Sequence, residues 1–151
     1  MSAEDFEPIE TRIAAALERL LLEDANRLLD ALPVQLAPIE LGEHAGAEIV
    51  RPSIAAASSR RTEKERVVLL DAYAIEIKYA VFDRQGQEAC RLLPYYTACI
   101  RRAVRRNGTL GGLVDRIALL ETRHEPAEKG FAADHWTGTA RLRATAEAED
   151  A

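Results

Sequence analysis

Residues 67–82 restrict the fold more than any other part of the sequence. Their side chains alternate between an apolar set, namely Tyr73, Ile75, Ile77, Tyr79 and Val81, and a small or charged set, namely Ala74, Glu76, Lys78 and Ala80. Successive side chains of a strand point to opposite faces, so this alternation predicts a strand with one face in the core. Because strands usually have about five or six residues, we expect a bulge or bend near Asp71, or two strands.

A second alternating segment lies near the end of the chain. One face comprises Trp136, Gly138, Ala140, Leu142 and Ala144, and the other comprises Thr137, Thr139, Arg141, Arg143 and Thr145. This pattern predicts a half-buried antiparallel strand. Residues 113–122 predict another strand, residues 34–41 predict a short edge strand or an extended crossing, and residues 48–51 predict a short strand. The acidic residues after the predicted strand at 136–145, namely Glu147, Glu149 and Asp150, are expected to fray.

Two segments show helical periodicity instead. The first carries apolar residues at steps near three, four and seven, namely Ile9, Ile13, Leu17, Leu20, Leu21, Leu28 and Leu32, and prolines bound it near 7–32. The second carries Leu92, Tyr96, Cys99, Ile100, Ala103 and Val104. Pro94 either kinks a helix that begins near Gln87 or lies in the first turn of one that begins near Leu93. Asn107 and Gly108 predict a left-handed cap.

Together these elements predict an α+β fold, a mostly antiparallel sheet with two main helices packed on one side. With 151 residues, 48% of them apolar, the chain is expected to form a single domain over residues 1–151. A flexible loop is expected at about 52–66, because this stretch lacks an apolar pattern. The first ten residues are acidic, and no apolar run approaches the roughly 20 residues of a membrane span, so we expect a protein of cytosolic origin with no membrane partner.

No residue pattern predicts a catalytic, cofactor-binding or metal-binding site. Cys90 and Cys99 lie nine residues apart in a predicted helix, too far for a disulfide, and are expected to be buried thiols. The histidines His44, His124 and His135 lack the spacing of paired metal ligands. The glycine-rich turn at 107–112 follows a helix, whereas a phosphate-binding turn precedes one. We therefore expect no enzyme and no cofactor.

Two groups of basic residues are the candidate site residues. Arg101, Arg102, Arg105 and Arg106 end the second predicted helix, where cations complement the helix dipole. Four like charges also repel one another, so carboxylates of a neighbouring subunit or nucleic-acid phosphates would stabilise them. The predicted loop carries the second group, Arg60, Arg61, Lys64 and Arg66. It is either a solvated loop or a segment that folds when an assembly forms.

The order and spacing of these elements resemble the tail terminator proteins of long-tailed bacteriophages, also called minor tail or tail completion proteins. The resemblance covers most of the chain. It rests on the predicted N-terminal helix, the strand at 71–81, the helix at 92–107 with its Pro94-Tyr95 pair, the turn at 109–112 and the strand at 136–143.

The resemblance implies a structural role without catalysis. Similar proteins form a hexameric ring that caps the tail tube, stops its polymerisation and presents a surface for head attachment. The implied partners are further copies of the chain, the tail tube protein, the head–tail connector protein and DNA that passes through the ring. The implied location is the virion tail, with assembly in the host cytoplasm, and the implied mobile arm is the loop with Arg60, Arg61, Lys64 and Arg66.

Three other interpretations stay open. A head–tail connector or joining protein would use a similar fold. A nucleic-acid-binding module would use the arginines of the second helix as phosphate contacts, although the formal charge of −5 argues against indiscriminate binding. A small hydrolase or ligand-binding domain would need a cleft around Asp134 and His135.

Overall fold

The structure is a computed structural model that describes residues 7–34, 36–41, 47–49, 53–63, 66–82, 87–126 and 135–147. Its helices are α1 (Ile9–Leu20), a π-helical turn (Leu21–Ala25), α2 (Asn26–Asp30) and α3 (Gln87–Arg106). Its strands are β1 (Ile39–Leu41), β2 (Ala47–Ile49), β3 (Ser53–Glu63), β4 (Arg66–Phe82), β5 (Arg116–Pro126) and β6 (His135–Glu147). The chain therefore has the α+β fold that the sequence predicts.

The first predicted helix is present and contains a π-helical turn. Pro8 is extended (φ −58°, ψ 147°), so the helix begins after it at Ile9. The buried residues then recur in steps of four through Leu17, Leu21, Ala25 and Leu29. Steps of four drift around a regular α-helix, which has 3.6 residues per turn. The wider π-helical turn reduces this drift and keeps the apolar side chains on the core face.

Helix α3 begins at Gln87, so Pro94 lies inside it. Pro94 has no N–H and therefore cannot bond the carbonyl of Cys90, four residues earlier. Both residues are exposed, which leaves that carbonyl accessible to water. The opposite side of α3 carries the buried apolar stripe, namely Ala89, Leu93, Tyr96, Cys99, Ile100, Ala103 and Val104, with Leu92 half-buried beside it.

The strand order is β1-β2-β4-β6-β5, and β3 also pairs with β4. Only β1 and β2 pair in parallel among the described strands, so the sheet is mostly antiparallel as predicted. Strand β4 pairs with β6 along one edge and with both β2 and β3 along the other. The alternating residues of β4 face α3 as expected, and Tyr73, Ile75, Ile77, Tyr79 and Val81 are buried.

The prediction of a loop without secondary structure at about 52–66 is wrong. Residues 53–63 form strand β3, which pairs in continuous register with β4 from Ser53 opposite Glu76 to Glu63 opposite Arg66. The alanines, serines and charges of this segment give a weak strand signal of their own, and the pairing is determined by the long neighbouring strand. The mobility expected of this segment stays a prediction, and Lys64 lies outside the described residues.

The bulge expected near Asp71 is also wrong. Strand β4 keeps one register with β3 and with β6 through this region, and the register shift lies in β5 between Leu119 and Glu121. Strand β4 has neighbours on both edges, which hold its backbone regular, whereas β5 is the last strand in the sheet order. An extra residue is accommodated more easily at an edge.

The turn after α3 differs from the predicted cap. Asn107 uses its side-chain amide to donate to the carbonyl of Ala103 at 2.8 Å, and its backbone N–H donates to the carbonyl of Val104 at 3.2 Å. These bonds satisfy two of the last four carbonyls of the helix, and the left-handed residues come later, at Leu110 (φ 49°), Gly111 (φ 70°) and Gly112 (φ 91°). Strand β5 accordingly begins at Arg116 instead of residue 113.

Polar side chains fix the segment before β1 against the helices. Asn26 accepts a hydrogen bond from the backbone N–H of Ile39 at 2.6 Å and donates to the carbonyls of Leu22 and Ile39 at 2.8 and 3.0 Å. The Tyr96 hydroxyl of α3 donates to the Ala37 carbonyl at 2.6 Å, and burial raises the Tyr96 pKa to about 12. These bonds connect α2 and α3 to β1 and the segment before it, beside the shared core.

Candidate functional site

The four arginines at the end of α3 lie on its solvent side. Arg101, Arg102, Arg105 and Arg106 are all exposed, opposite the buried stripe of the same helix. They form two pairs at a spacing of four residues, Arg101 with Arg105 and Arg102 with Arg106, at which like charges are close and repel each other. Arg101 donates from Nη2 to Thr122 Oγ1 at 3.3 Å. Within the described part of the chain, no hydrogen bond or ion pair holds the other three.

A groove of about 630 Å³ separates α3 from β5. Basic side chains line it from both elements, Arg101 and Arg105 from the helix and Arg116 from the strand. Buried Val104 and Ile117 form its apolar floor. We call this feature the α3–β5 groove. It combines an apolar base with cationic sides, an arrangement suited to an anionic ligand that also has apolar atoms.

The strand side of the groove is an open sheet edge. Strand β5 pairs only with β6 among the described strands, and on its other edge the N–H of Ile117 donates to the Gly108 carbonyl at 2.8 Å, while the residues beyond it have no strand partner there. Leu120, the extra residue of the β5 bulge, lies on this strand and is 64% exposed. Such an edge is able to accept a further strand. An exposed leucine beside it provides apolar contact area at the same place.

A hydrogen-bond chain that runs from buried Tyr79 and Thr97 to exposed His124 connects the sheet to α3 next to the groove. Thr97 Oγ1 lies 2.6 Å from the Tyr79 hydroxyl, 2.6 Å from His124 Nε2 and 3.2 Å from the Leu93 carbonyl. A hydroxyl donates one proton only, so if Thr97 donates to Leu93, it accepts from both Tyr79 and the Nε2–H of His124. Burial raises the pKa of Tyr79 and lowers that of His124, which the Arg101 charge lowers further.

Gly138 provides the space for this chain. It pairs directly with Tyr79 across β4 and β6, and a Cβ at this position would lie 2.2 Å from Tyr79 Cζ. The tyrosine ring therefore occupies the volume that any larger residue would need. This contact explains physically why glycine stands in the middle of a strand.

The other face of the sheet carries an ion-pair network. Its distances lie between 3.4 and 3.8 Å, and it joins Glu76, Lys78, Glu121, Arg123, Glu125 and Arg141. Each of these side chains is at least one third exposed, so solvent screens the pairs and they contribute little to stability. The network makes this face a hydrated polar surface, and the arginines Arg123 and Arg141 are paired within it.

Metal-binding side chains are not clustered in the described residues. No group of three histidine, cysteine, aspartate or glutamate side chains there could hold a metal ion. His44 and Asp134 lie outside the described residues, so the cleft considered around Asp134 and His135 is not described either. Among the described helices, none is long and apolar enough to cross a membrane.

The two cysteines differ in exposure. Both are free; Cys99 is buried as expected, and burial raises its pKa. The expectation that Cys90 is buried is wrong, because its neighbour Ala89 occupies the core-facing position of that turn and Cys90 is exposed. The exposed Cys90 thiol has no hydrogen-bond or ion-pair partner among the described residues, and it does not line the α3–β5 groove.

The structure keeps the two predicted arginine groups apart. Arg60, Arg61 and Arg66 lie on the paired backbones of β3 and β4, with Arg60 opposite Leu69 and Arg61 opposite Val68. Strands β4 and β6 lie between β3 and β5, so these residues and the α3–β5 groove are on opposite sides of the subunit. Sequence reasoning missed Arg116, Leu120 and the Thr97 hydrogen bonds. A threonine on an apolar helical stripe was the one available signal.

Comparison with known proteins finds only weak structural likenesses. No protein-family model matches the chain, and a search of curated proteins finds no match. Among solved structures, the chain is similar to the type 4 fimbrial biogenesis protein PilO from Pseudomonas aeruginosa, with 10% identity, a TM-score of 0.41, and coverage of 94% of this chain and 73% of that one. It is also similar to a chain of the virion of a native gene transfer agent particle, with 16% identity, a TM-score of 0.40, and coverage of 90% and 95%. At these values neither likeness bears on function.

Proposed function

We propose that this chain is a non-enzymatic structural protein of phage tail assembly that caps the tail tube as a ring, stops its polymerisation and forms the surface for head attachment. The observation that carries the proposal is that the two sides of the subunit are different. One side has the open edge of β5 with the cationic α3–β5 groove, and the other has the β3–β4 hairpin. A subunit with two different contact sides associates head to tail, which gives a ring when the rotation closes.

The end of the β3–β4 hairpin supports this proposal. The last described β6 partner of β4 is Glu147, opposite Leu70, whereas the pairing of β3 with β4 continues to Glu63 opposite Arg66. The end of the hairpin is thus two-stranded in the described residues. A two-stranded ribbon is marginally stable alone, so contact with a neighbouring subunit or the tail tube would stabilise it.

The proposed mechanism is geometric. A ring whose one face matches the last layer of the tube and whose other face differs leaves no site for a further layer, so polymerisation stops without a bond being made or broken. The resemblance of the sequence to tail terminators supports the tail tube and the head–tail connector as partners and a hexamer as the ring. A connector or joining protein is the alternative within the same class.

Light scattering coupled to size-exclusion chromatography tests the proposal, with the chain alone and with purified tail tubes. We expect the chain to bind tube ends at about one ring per end and to prevent further growth, as seen by electron microscopy. A monomer in the absence of tubes agrees with the proposal, because tubes can drive ring formation by mass action. A chain that remains monomeric at high concentration and never binds tubes contradicts it. Binding to head connectors alone favours the connector alternative.

The exposed arginines favour a second candidate, a nucleic-acid-binding module. Arg102, Arg105 and Arg106 are exposed and have no hydrogen-bond or ion-pair partner in the described part of the chain, so phosphates could contact them. Filter binding at low and high salt tests this candidate. It predicts retention that falls steeply with salt and is lost when Arg102 and Arg106 are replaced by glutamate. No retention at low salt contradicts it.

A further inference from the structure

We propose that the α3–β5 groove binds the acidic N-terminal segment, residues 1–7, of a second copy of this chain, which adds to β5 as an extended strand. The inference rests on the proposed self-association and identifies the contact that would produce it. Its first basis is the outer edge of β5, which pairs with no further strand among the described strands, although the N–H of Ile117 at its start donates to the Gly108 carbonyl at 2.8 Å. An added strand would pair with the edge beyond Ile117, and Leu120, which is 64% exposed, would be covered.

The second basis is charge complementarity. Arg101, Arg105 and Arg116 line the groove against a single carboxylate, that of Glu121. The N-terminal segment has the opposite side-chain charges, with Glu4, Asp5 and Glu7 and no lysine or arginine. Arg101 and Arg105 are also separated by four residues on one helix, where like charges repel. An acidic strand would replace this repulsion with attraction.

The third basis is length and conformation. Seven extended residues reach about 23–25 Å, and the β5 residues that line the groove, Arg116 to Thr122, span about 20 Å. Pro8 is extended and immediately precedes α1. A residue before proline is disfavoured in the helical conformation, so Glu7 does not continue α1. Glu7 and Pro8 therefore do not extend the helix, and a strand formed by residues 1–7 would be long enough to cover this part of β5.

The arrangement of the helices favours a second copy over the same copy as the source of the segment. Helix α1 contacts β3, and β3 lies three strand spacings, about 14 Å, from β5. Helix α3 packs on the strands between them, so a chain's own groove lies on the far side of that helix. A neighbour whose β3 side faces this β5 edge would present its N-terminal segment directly. That contact joins unlike surfaces and agrees with head-to-tail association.

Sedimentation velocity of the full-length chain over a concentration series tests the groove. The double variant Arg101→Glu with Arg105→Glu should weaken self-association by at least about tenfold, because like charges placed across an interface are strongly unfavourable. The matched control is Arg102→Glu with Arg106→Glu, which makes the same charge change at the same spacing on the same helix, outside the groove. It should change the association constant by less than about twofold. Thermal unfolding of each variant checks that it is folded.

Charge exchange tests the occupant. The variant Glu4→Arg with Asp5→Arg should lose self-association as the groove variant does. An equimolar mixture of the two variants should regain it, because each then offers the segment that the other's groove requires. Since the N-terminal change lies before α1, loss of folding would not explain a defect that mixing repairs.

Several results would overturn the inference. One is that the groove and control variants weaken self-association equally, and another is that mixing the two charge variants does not restore it. Two more are self-association that is unchanged when residues 1–6 are removed, and a wild-type chain that stays monomeric at every concentration and on tubes. Nucleic-acid binding lost in the groove variant, with self-association unaffected, would assign the groove to phosphates instead. Normal rings on tubes from both charge variants would refute this contact and leave the proposed function intact. Self-association through the groove without tube binding would support this contact and contradict the proposed function.

Discussion

The contact between Gly138 and Tyr79 allows a stability change to be predicted from the structure. A Cβ at position 138 would lie 2.2 Å from Cζ, 2.3 Å from Cε2 and 2.7 Å from the hydroxyl oxygen of Tyr79. The ring is buried and its hydroxyl lies 2.6 Å from Thr97 Oγ1, so it cannot move aside without breaking that hydrogen bond. Gly138→Ala should therefore destabilise the fold through a steric clash.

Two contributions set the magnitude. Forcing an extra methyl group into a packed core costs about 1–3 kcal/mol. If the ring moves to relieve the clash, the buried hydroxyls of Tyr79 and Thr97 lose their bond, at about 1–3 kcal/mol. Because displacement of the ring relieves part of the clash, we expect a total of about 2–4 kcal/mol. For a domain of this size, this lowers Tm by about 4–16 °C.

The assay is urea or thermal unfolding followed by the fluorescence of Trp136, the one tryptophan of the chain. The matched control is Gly108→Ala, whose Cβ would meet only the Arg105 carbonyl oxygen at 4.0 Å, and which should leave stability unchanged or slightly raised. In a Tyr79→Ala background, Gly138→Ala should have almost no further effect. A Gly138→Ala protein within about 0.5 kcal/mol of wild type, or an undiminished effect in that background, would refute the reasoning.

Three further predictions concern the Tyr79–Thr97–His124 hydrogen-bond chain and the two cysteines of α3. Thr97→Val should cost about 1–3 kcal/mol in chemical denaturation, because it leaves the buried Tyr79 hydroxyl without its partner, while Thr97→Ser should cost less. The pKa of His124 in the folded chain lies below its usual 6.5, so as the pH falls the unfolded chain takes up this proton before the folded chain does. The free energy of unfolding should therefore decline as the pH falls from about 7 through 6.5 towards the folded pKa. His124→Asn should reduce this slope, and an unchanged slope would contradict the assignment. A maleimide should label the exposed Cys90 rapidly and the buried Cys99 only on unfolding. Rapid labelling of both thiols would contradict the burial of Cys99 on the core side of α3.

Strong periodic patterns were sufficient to predict most of the fold. The alternation in residues 67–82 and around 136–145, and the apolar stripes of the helices, correspond to β4, β6, α1 and α3. Each of these elements buries one face, so the residues of that one segment are enough to show which face is apolar. The assignment of buried and exposed faces on β4 was correct for the same reason.

The errors occur where the deciding interaction comes from elsewhere in the chain. Strand β3 is rich in alanine and serine and is ordered as a strand by pairing with β4. The bulge lies in β5, which has a strand partner on one edge only in the described sheet, and not in β4, which is paired along both edges. Asn107 ends α3 with its side chain and also bonds Asp24 at 2.9 Å, from a helix 83 residues earlier, which a local glycine rule does not anticipate.

The candidate site shows the same division. The sequence by itself determined that four arginines lie near the end of a helix and that its opposite side is apolar, because both facts follow from helical spacing. Only the tertiary structure decided that Arg101 and Arg105 face the open edge of β5, and that Tyr79, Thr97 and His124 meet beneath the helix. These residues come from different elements, and their proximity depends on strand order and register, which arise from long-range pairing and packing and are not encoded in any one segment.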